Sequence, residues 1–294
     1  MLMTGYVLFR VRYRLPPKPA RRGLHRRSLA CVRDRDARTP MDETPHRERV
    51  FNVPLVVLVL IAVLGLVHAY LFLVLNAQQT DAFLMLFAFI AARYDPTVMS
   101  DIVWPGGWAA DIWTFVTYAF IHGDLSHLIF NVVWLLAFGS PLARRLGTLR
   151  FLLFMALGAA AGAAVHLATH FGDWLPMIGA SAAISAAMGA AIRFVFQPNG
   201  PMALWRDPEA VYRVPAAPLM ASLRDRRVLA FLLVWFGANL LMGWLGWVGM
   251  SGIQQAIAWQ AHIGGFAFGL LAFAAFDPIP IAINAGAAPP DQPS

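Results

Sequence analysis

Four polar residues interrupt stretches that are otherwise apolar: His127 and Asn131 in "FIHGDLSHLIFN", Ser181 in "MIGASAAISAAMGA" and His262 in "AWQAHIGGFAFGLL". A serine hydroxyl beside an imidazole meets the first requirement of acyl transfer, with the ring as general base and nearby N–H groups to steady an oxyanion. At i and i+4, His127 and Asn131 share one helix face and would form a paired donor surface. His122 would lie roughly 140° away from His127 on the same helix, which disfavours a metal held by both and leaves His122 a structural role at the span's outer end. Ser181, two residues after Gly179, opens an apolar run. Its backbone amide would belong to the unpaired N–H groups of a helix N-terminus, where positive partial charge stabilises a developing anion. On these residues alone, a serine that merely caps a helix remains equally open, as do a histidine and an asparagine that only bond a neighbouring helix.

The medium that surrounds these residues follows from composition. Hydrophobic residues make up 59% of the chain and charged residues 13%, mean hydropathy is +0.60, and the apolar residues come in long blocks. This is the pattern of an all-α membrane protein, a polytopic bundle. The single cysteine, Cys31, excludes an internal disulfide framework. Six spans are predicted: Phe51–Leu75, Thr117–Ser140, Phe151–Ala168, Ser181–Phe196, Val228–Val248 and Ile257–Phe276, with Ala82–Ala92 as an interfacial or re-entrant segment too short to cross.

Small residues suggest how the polar groups meet. Ser181, Ser185 and Gly189 form one small-xxx-small row, and Ala261, Gly265 and Gly269 another, so spans four and six can lie almost backbone to backbone. That would bring His262 within hydrogen-bond reach of Ser181. Apart from Asp124, spans two, four and six hold no acidic residue to orient the imidazole, which predicts a Ser-His dyad with the ring held by aromatic stacking or a backbone carbonyl.

Arginine sets the orientation, because short basic loops stay cytoplasmic. Residues 1–50 hold 13 of the 23 Lys and Arg, and nine of the other ten fall in or beside the second and fourth loops, leaving only Arg93 outside. Both termini are therefore expected inside. The net charge of +7 reports topology and carries no argument for nucleic acid. Residues 1–49 read as a basic, disordered tail in which Met41 could be the true start; 50–276 as the six-span domain; 277–294 as a Pro- and Ala-rich tail. Twenty-two arginines against one lysine point to a GC-rich genome and a bacterial inner membrane.

The ordered set "HGDLSHLIFN", "GASAAIS" and "AHIGG" on alternate spans resembles the rhomboid family of intramembrane serine proteases, over about Phe51 to Phe276. The resemblance implies Ser181 as nucleophile, His262 as base, His127 and Asn131 lining the oxyanion hole, Gly179 and Gly265 in support, and transmembrane segments of other proteins as substrates, with no cofactor or metal. Two positions differ from the family pattern. Ala182 follows the serine where glycine is usual, and Trp113–Thr114 stands where many members have tryptophan and arginine in a membrane-embedded first loop. Three other readings are weighed: an inactive relative that binds transmembrane clients; a transporter, for which no repeated pair of broken helices is found; and a metal or haem protein using His166 and His170, which sit at the outer end of span three.

Overall fold

The computed structural model describes residues 53–99, 103–202, 210–247 and 258–279. The basic segment 1–49, with Met41, and all but the first three residues of the 277–294 tail lie outside the described residues. Helix α1 (Leu55–Leu73) follows Pro54, which needs no hydrogen-bond partner for its nitrogen. It buries only Val57, Leu64 and Leu71, at steps of seven, and exposes Leu55, Leu66, Phe72 and Leu73. Such a surface suits lipid and not water.

The first loop is built around the end of a short helix. Helix α2 (Ala77–Phe87) opens with a capping box in which Asn76 and Gln79 satisfy each other's amides. Its last carbonyls, which have no partner inside the helix, are taken by side chains. Arg93 donates to Met85 O at 2.6 Å, Trp113 Nε1 to Leu86 O at 3.0 Å and Thr117 Oγ1 to Phe87 O at 2.7 Å. Arg93 sits in a 3₁₀ turn (Ala91–Tyr94) ahead of α3 (Pro96–Met99), while Trp113 and Thr117 lie on α4 (Gly107–Thr117). The Arg93 guanidinium is buried, pairs with Asp111 at 3.2 Å and lies 4.8 Å from the Trp104 ring. Thr114 is buried too, bonded to Ala110 O and to the Tyr94 hydroxyl. The guanidinium that ties this loop together thus comes from Arg93, twenty-one residues before the position where the family pattern puts it.

Span two departs from the expected Thr117–Ser140. A 3₁₀ turn (Tyr118–Phe120) and an extended break at Ile121–Asp124 separate α4 from α5 (Leu125–Trp134), which continues through a π-helical turn (Leu135–Gly139) into α6 (Ser140–Leu146). Asp124 decides the start, because its carboxylate accepts from the His127 amide at 2.8 Å and from the Ser126 hydroxyl. Those two bonds also hold the exposed Asp124 carboxyl below the usual carboxylate range, with the Ser126 hydroxyl contributing most. His122 is therefore not on the helix, and the 140° argument does not apply to it. It lies buried in the break, with its ring edge-on to His127 at 5.0 Å between centroids.

Helix α7 (Thr148–Thr169) returns across the bundle, and its Gly158 and Gly162 receive the Ala186 and Ala182 methyls of α8 (Ser181–Ala191). Span four was expected to run to Phe196. The helix stops at Ala191 and the chain continues in turns, with Arg193 buried and bonded to Ala217 O and Leu270 O. Eleven residues make a helix of about 16 Å, less than a bilayer core, which is tolerable because α8 is enclosed by protein and all of Ala182–Ala191 is buried. After α9 (Leu219–Ser222) come α10 (Arg226–Trp247) and α11 (Trp259–Phe276). Near the end of α11, Asp277 pairs with the buried Arg145 of α6 at 2.8 Å, and Arg145 also donates to Tyr212 O and Val214 O. Removing one partner of such a pair costs about 3–5 kcal/mol.

Four helical stretches are long and apolar enough to cross a membrane among the described residues: Leu55–Leu73, Leu125–Leu146, Thr148–Thr169 and Trp259–Phe276. With the shorter α8 and the 22-residue α10, each expected span has its helix. No strand occurs among the described residues, only an antiparallel bridge between Phe89 and Met177.

Candidate active site

Ser181 is the first residue of α8, and the segment that delivers it is fastened to the first loop. Ala92 N donates to Asp173 O at 2.8 Å, Phe89 and Met177 exchange both backbone bonds, and Gly179 N donates to Tyr118 O at 3.0 Å. Gly179 adopts φ +113°, a region costly for other residues, and a Cβ there would sit 2.6 Å from His127 Nε2. The imidazole of His127 therefore lies directly against the turn that leads into Ser181.

Helix α11 approaches from the other side. A Cβ on Gly265 or Gly269 would run into the backbone carbonyl of Ala182 or Ala186, and one on Gly189 into Phe266 O. The two helices pack backbone to backbone as expected: Gly189, of the small row on α8, lies against Phe266 O, and Gly265 and Gly269 lie against the backbone carbonyls of Ala182 and Ala186, whose methyls point to α7. Ser185 Oγ donates back to Ser181 O at 2.8 Å, while Ser181 Oγ and His262 Nε2 are 2.7 Å apart. The Ala182 methyl finds its room against Gly162 of α7.

Ser181, Ser185, His262 and Asn131 line one cavity of about 210 Å³, together with Ile184, Met188, Trp134, Trp235, Ala238 and Asn239. Asn131 is buried and donates through Nδ2 to His127 O at 2.9 Å, one turn earlier in α5. A primary amide has a second N–H to offer. His127 borders the site through Gly179 and does not line this cavity. A second, apolar cavity of about 90 Å³, among residues such as Leu60, Phe120, Leu152 and Ala183, contains no group that could take part in proton transfer.

One participant was missed from sequence. Asn239 of α10 presents Oδ1 to His262 Nδ1 at 2.6 Å and donates through Nδ2 to Trp235 O at 2.8 Å, so the ring is held by a side-chain amide where stacking or a backbone carbonyl was expected. The available signal was a lone amide inside an apolar span, which needs a partner. His166 and His170 stack on each other at 4.4 Å between centroids; among the described residues no group of three His, Cys, Asp or Glu is placed to hold a metal ion.

A profile described as Rhomboid domain matches residues 109–277, which hold all of these groups. The chain belongs to the rhomboid family. Among similar proteins are the Rhomboid protease GlpG of Enterobacter sp. (strain 638), 30% identical over 200 residues, 66% of this chain and 60% of that protein, and that of Yersinia pestis (strain Pestoides F), 29% identical over 182 residues, 60% of this chain and 53% of that protein. The chain thus spans somewhat more than half the length of these rhomboid relatives. Like the fold, the family makes it a multi-pass integral membrane protein.

Proposed function

We propose that this rhomboid is an intramembrane serine endopeptidase that cuts transmembrane segments of other membrane proteins near the outer face of a bacterial inner membrane. The observation that carries the reading is the 2.7 Å contact between Ser181 Oγ and His262 Nε2 on the wall of a partly polar cavity inside a membrane bundle. A hydroxyl and an imidazole at that distance are ready to exchange a proton. The names of the Enterobacter and Yersinia relatives agree with it.

His262 Nε2 takes the proton of Ser181 as the hydroxyl oxygen attacks the peptide carbonyl. The oxyanion that forms is met by the Ser181 amide at the α8 N-terminus, by Asn131 and by His127. The imidazolium returns its proton to the leaving amine, and a water activated by the same ring releases the acyl group. Protein groups and water suffice for every step. The substrate segment has to unwind to expose its backbone, which in a membrane happens only where protein or water replaces the lost hydrogen bonds. The asymmetry of arginines supports cytoplasmic termini and a site that opens outward.

A relative that binds transmembrane clients without cutting them would be expected to lack the serine or the histidine; both are present, and the methyl of Ala182 is accommodated by Gly162. Co-expression with a panel of epitope-tagged single-span proteins tests the choice. Wild type should release a shortened tagged fragment from at least one of them and Ser181→Ala none. No fragment from any client with normally inserted wild type, or the same fragment with both forms, would overturn the protease reading.

A further inference from the structure

Helix α10 exposes Leu229, Leu233, Val234, Leu240 and Leu241, and a primary amide on such a helix is costly unless both its ends are bonded. Asn239 is half-buried, faces the cavity that holds Ser181, and has both ends bonded. The two bonds together fix more than an orientation. Trp235 O can only accept, so the amide end 2.8 Å from it is Nδ2, and the end 2.6 Å from His262 Nδ1 is the oxygen. An amide oxygen also only accepts. The proton of the neutral ring must then be on Nδ1, and Nε2 turns a lone pair toward Ser181 Oγ at 2.7 Å.

We propose that Asn239 is a positioning residue, the third member of a Ser181–His262–Asn239 relay, which holds His262 in the tautomer and orientation able to take the serine proton. The inference rests on the serine-protease reading. Asn239 does not touch the reacting atoms; it acts through the ring. An amide oxygen stabilises the imidazolium less than a carboxylate would, so the main contribution of Asn239 is geometric. It also ties reactivity to the seating of α10, because displacing that helix from α11 withdraws the acceptor from Nδ1.

The test uses the full chain in lipid nanodiscs with an alkyl fluorophosphonate as probe, and measures the rate at which Ser181 is labelled, by intact mass and peptide mapping. Asn239→Leu keeps the volume and removes the acceptor; Asn239→Asp keeps an acceptor at the same place. Asn239→Leu should slow labelling about tenfold or more, the effect of losing one well-placed hydrogen bond, with its thermal unfolding midpoint close to wild type. Asn239→Asp should recover most of the rate. With a cleavable client, the loss in Asn239→Leu should appear in kcat and leave KM nearly unchanged. Wild-type labelling rates in Asn239→Leu would overturn the proposal, as would equal losses in both variants that track a lowered midpoint, the mark of a purely structural residue. If Asn239→Asp folds poorly, Asn239→Leu against wild type still decides. Failure of wild type itself to be labelled on Ser181 would sink the protease reading and this inference with it, an outcome distinct from unequal or equal variants.

Discussion

Ser181 meets two kinds of neighbour, an imidazole that can take its proton and amide groups that can donate. Its hydroxyl faces His262 Nε2, and the space in front of it is bordered by Asn131, whose Nδ2 gives a bond to His127 O. If Asn131 and His127 serve the oxyanion, each is one donor among several, and losing one such donor typically lowers kcat by ~10²- to 10³-fold. Asn131→Ala and His127→Ala should therefore weaken turnover of a cleavable client by that order without abolishing it. Unchanged turnover in Asn131→Ala, with chemistry rate-limiting, would return both residues to helix packing. His127, Asn131, Ser181 and His262 were visible in the sequence because each is a polar group inside an apolar run with a recurrent spacing or neighbour. Asn239 meets the same criterion but has no recurrent spacing or neighbour that marks it in its Trp- and Leu-rich span, and in the sequence Arg93 counts only as the one Lys or Arg of the outer loops. What neither position discloses is its partner, since Asn239 and His262 are 23 residues apart and Arg93 bonds to Met85 O and Pro105 O.

The helices meet where side chains are absent. On α11, Gly265 and Gly269 bring its backbone against Ala182 and Ala186 of α8, and on α7 Gly158 and Gly162 make room for the methyls of those alanines. Backbone cannot rotate aside as a side chain can, so an added methyl there forces the helices apart. Gly269→Ala should lose at least about 1–3 kcal/mol of stability, read as a lower thermal unfolding midpoint in detergent. Gly65→Ala on α1, where an added Cβ meets nothing within 4 Å, should leave the midpoint unchanged or raise it. Equal effects at the two positions would refute the close-packed seam. That small residues would let α8 and α11 lie backbone to backbone was legible from the four-residue spacing of Gly189, Gly265 and Gly269 with their rows; that the Ala182 and Ala186 methyls would fill α7 was not, because nothing in the spacing links them to Gly158 and Gly162. Span two starts later than hydropathy suggests, because Thr117–Ile121 is largely apolar while the break lies at Gly123 and the capping carboxylate of Asp124.

At the scale of the whole molecule, the arginines are unevenly spread along the sequence: if the spans alternate across the membrane, Arg93 is the sole Lys or Arg in the outer loops. If that asymmetry sets the topology, a reporter fused after Phe276 should be cytoplasmic and one inserted near Asp101 exported; the reverse pattern would move the site to the inner face. Six apolar segments and their order could be read from hydropathy alone, but not that the fourth, expected over Ser181–Phe196, ends as a helix at Ala191, because its length is set by the helices that enclose it. The claim that joins all three scales is that this fold makes one serine nucleophilic. The direct measurement is covalent labelling of wild type by a serine-directed phosphonate, in lipid as well as detergent, with the modified residue mapped by mass spectrometry. A single label on Ser181 is expected, absent in Ser181→Ala and severely reduced in His262→Ala, since members of a catalytic unit fail together. A label that persists in Ser181→Ala, on Ser185 or elsewhere, or a well-folded wild type that takes no label in either medium, would contradict it.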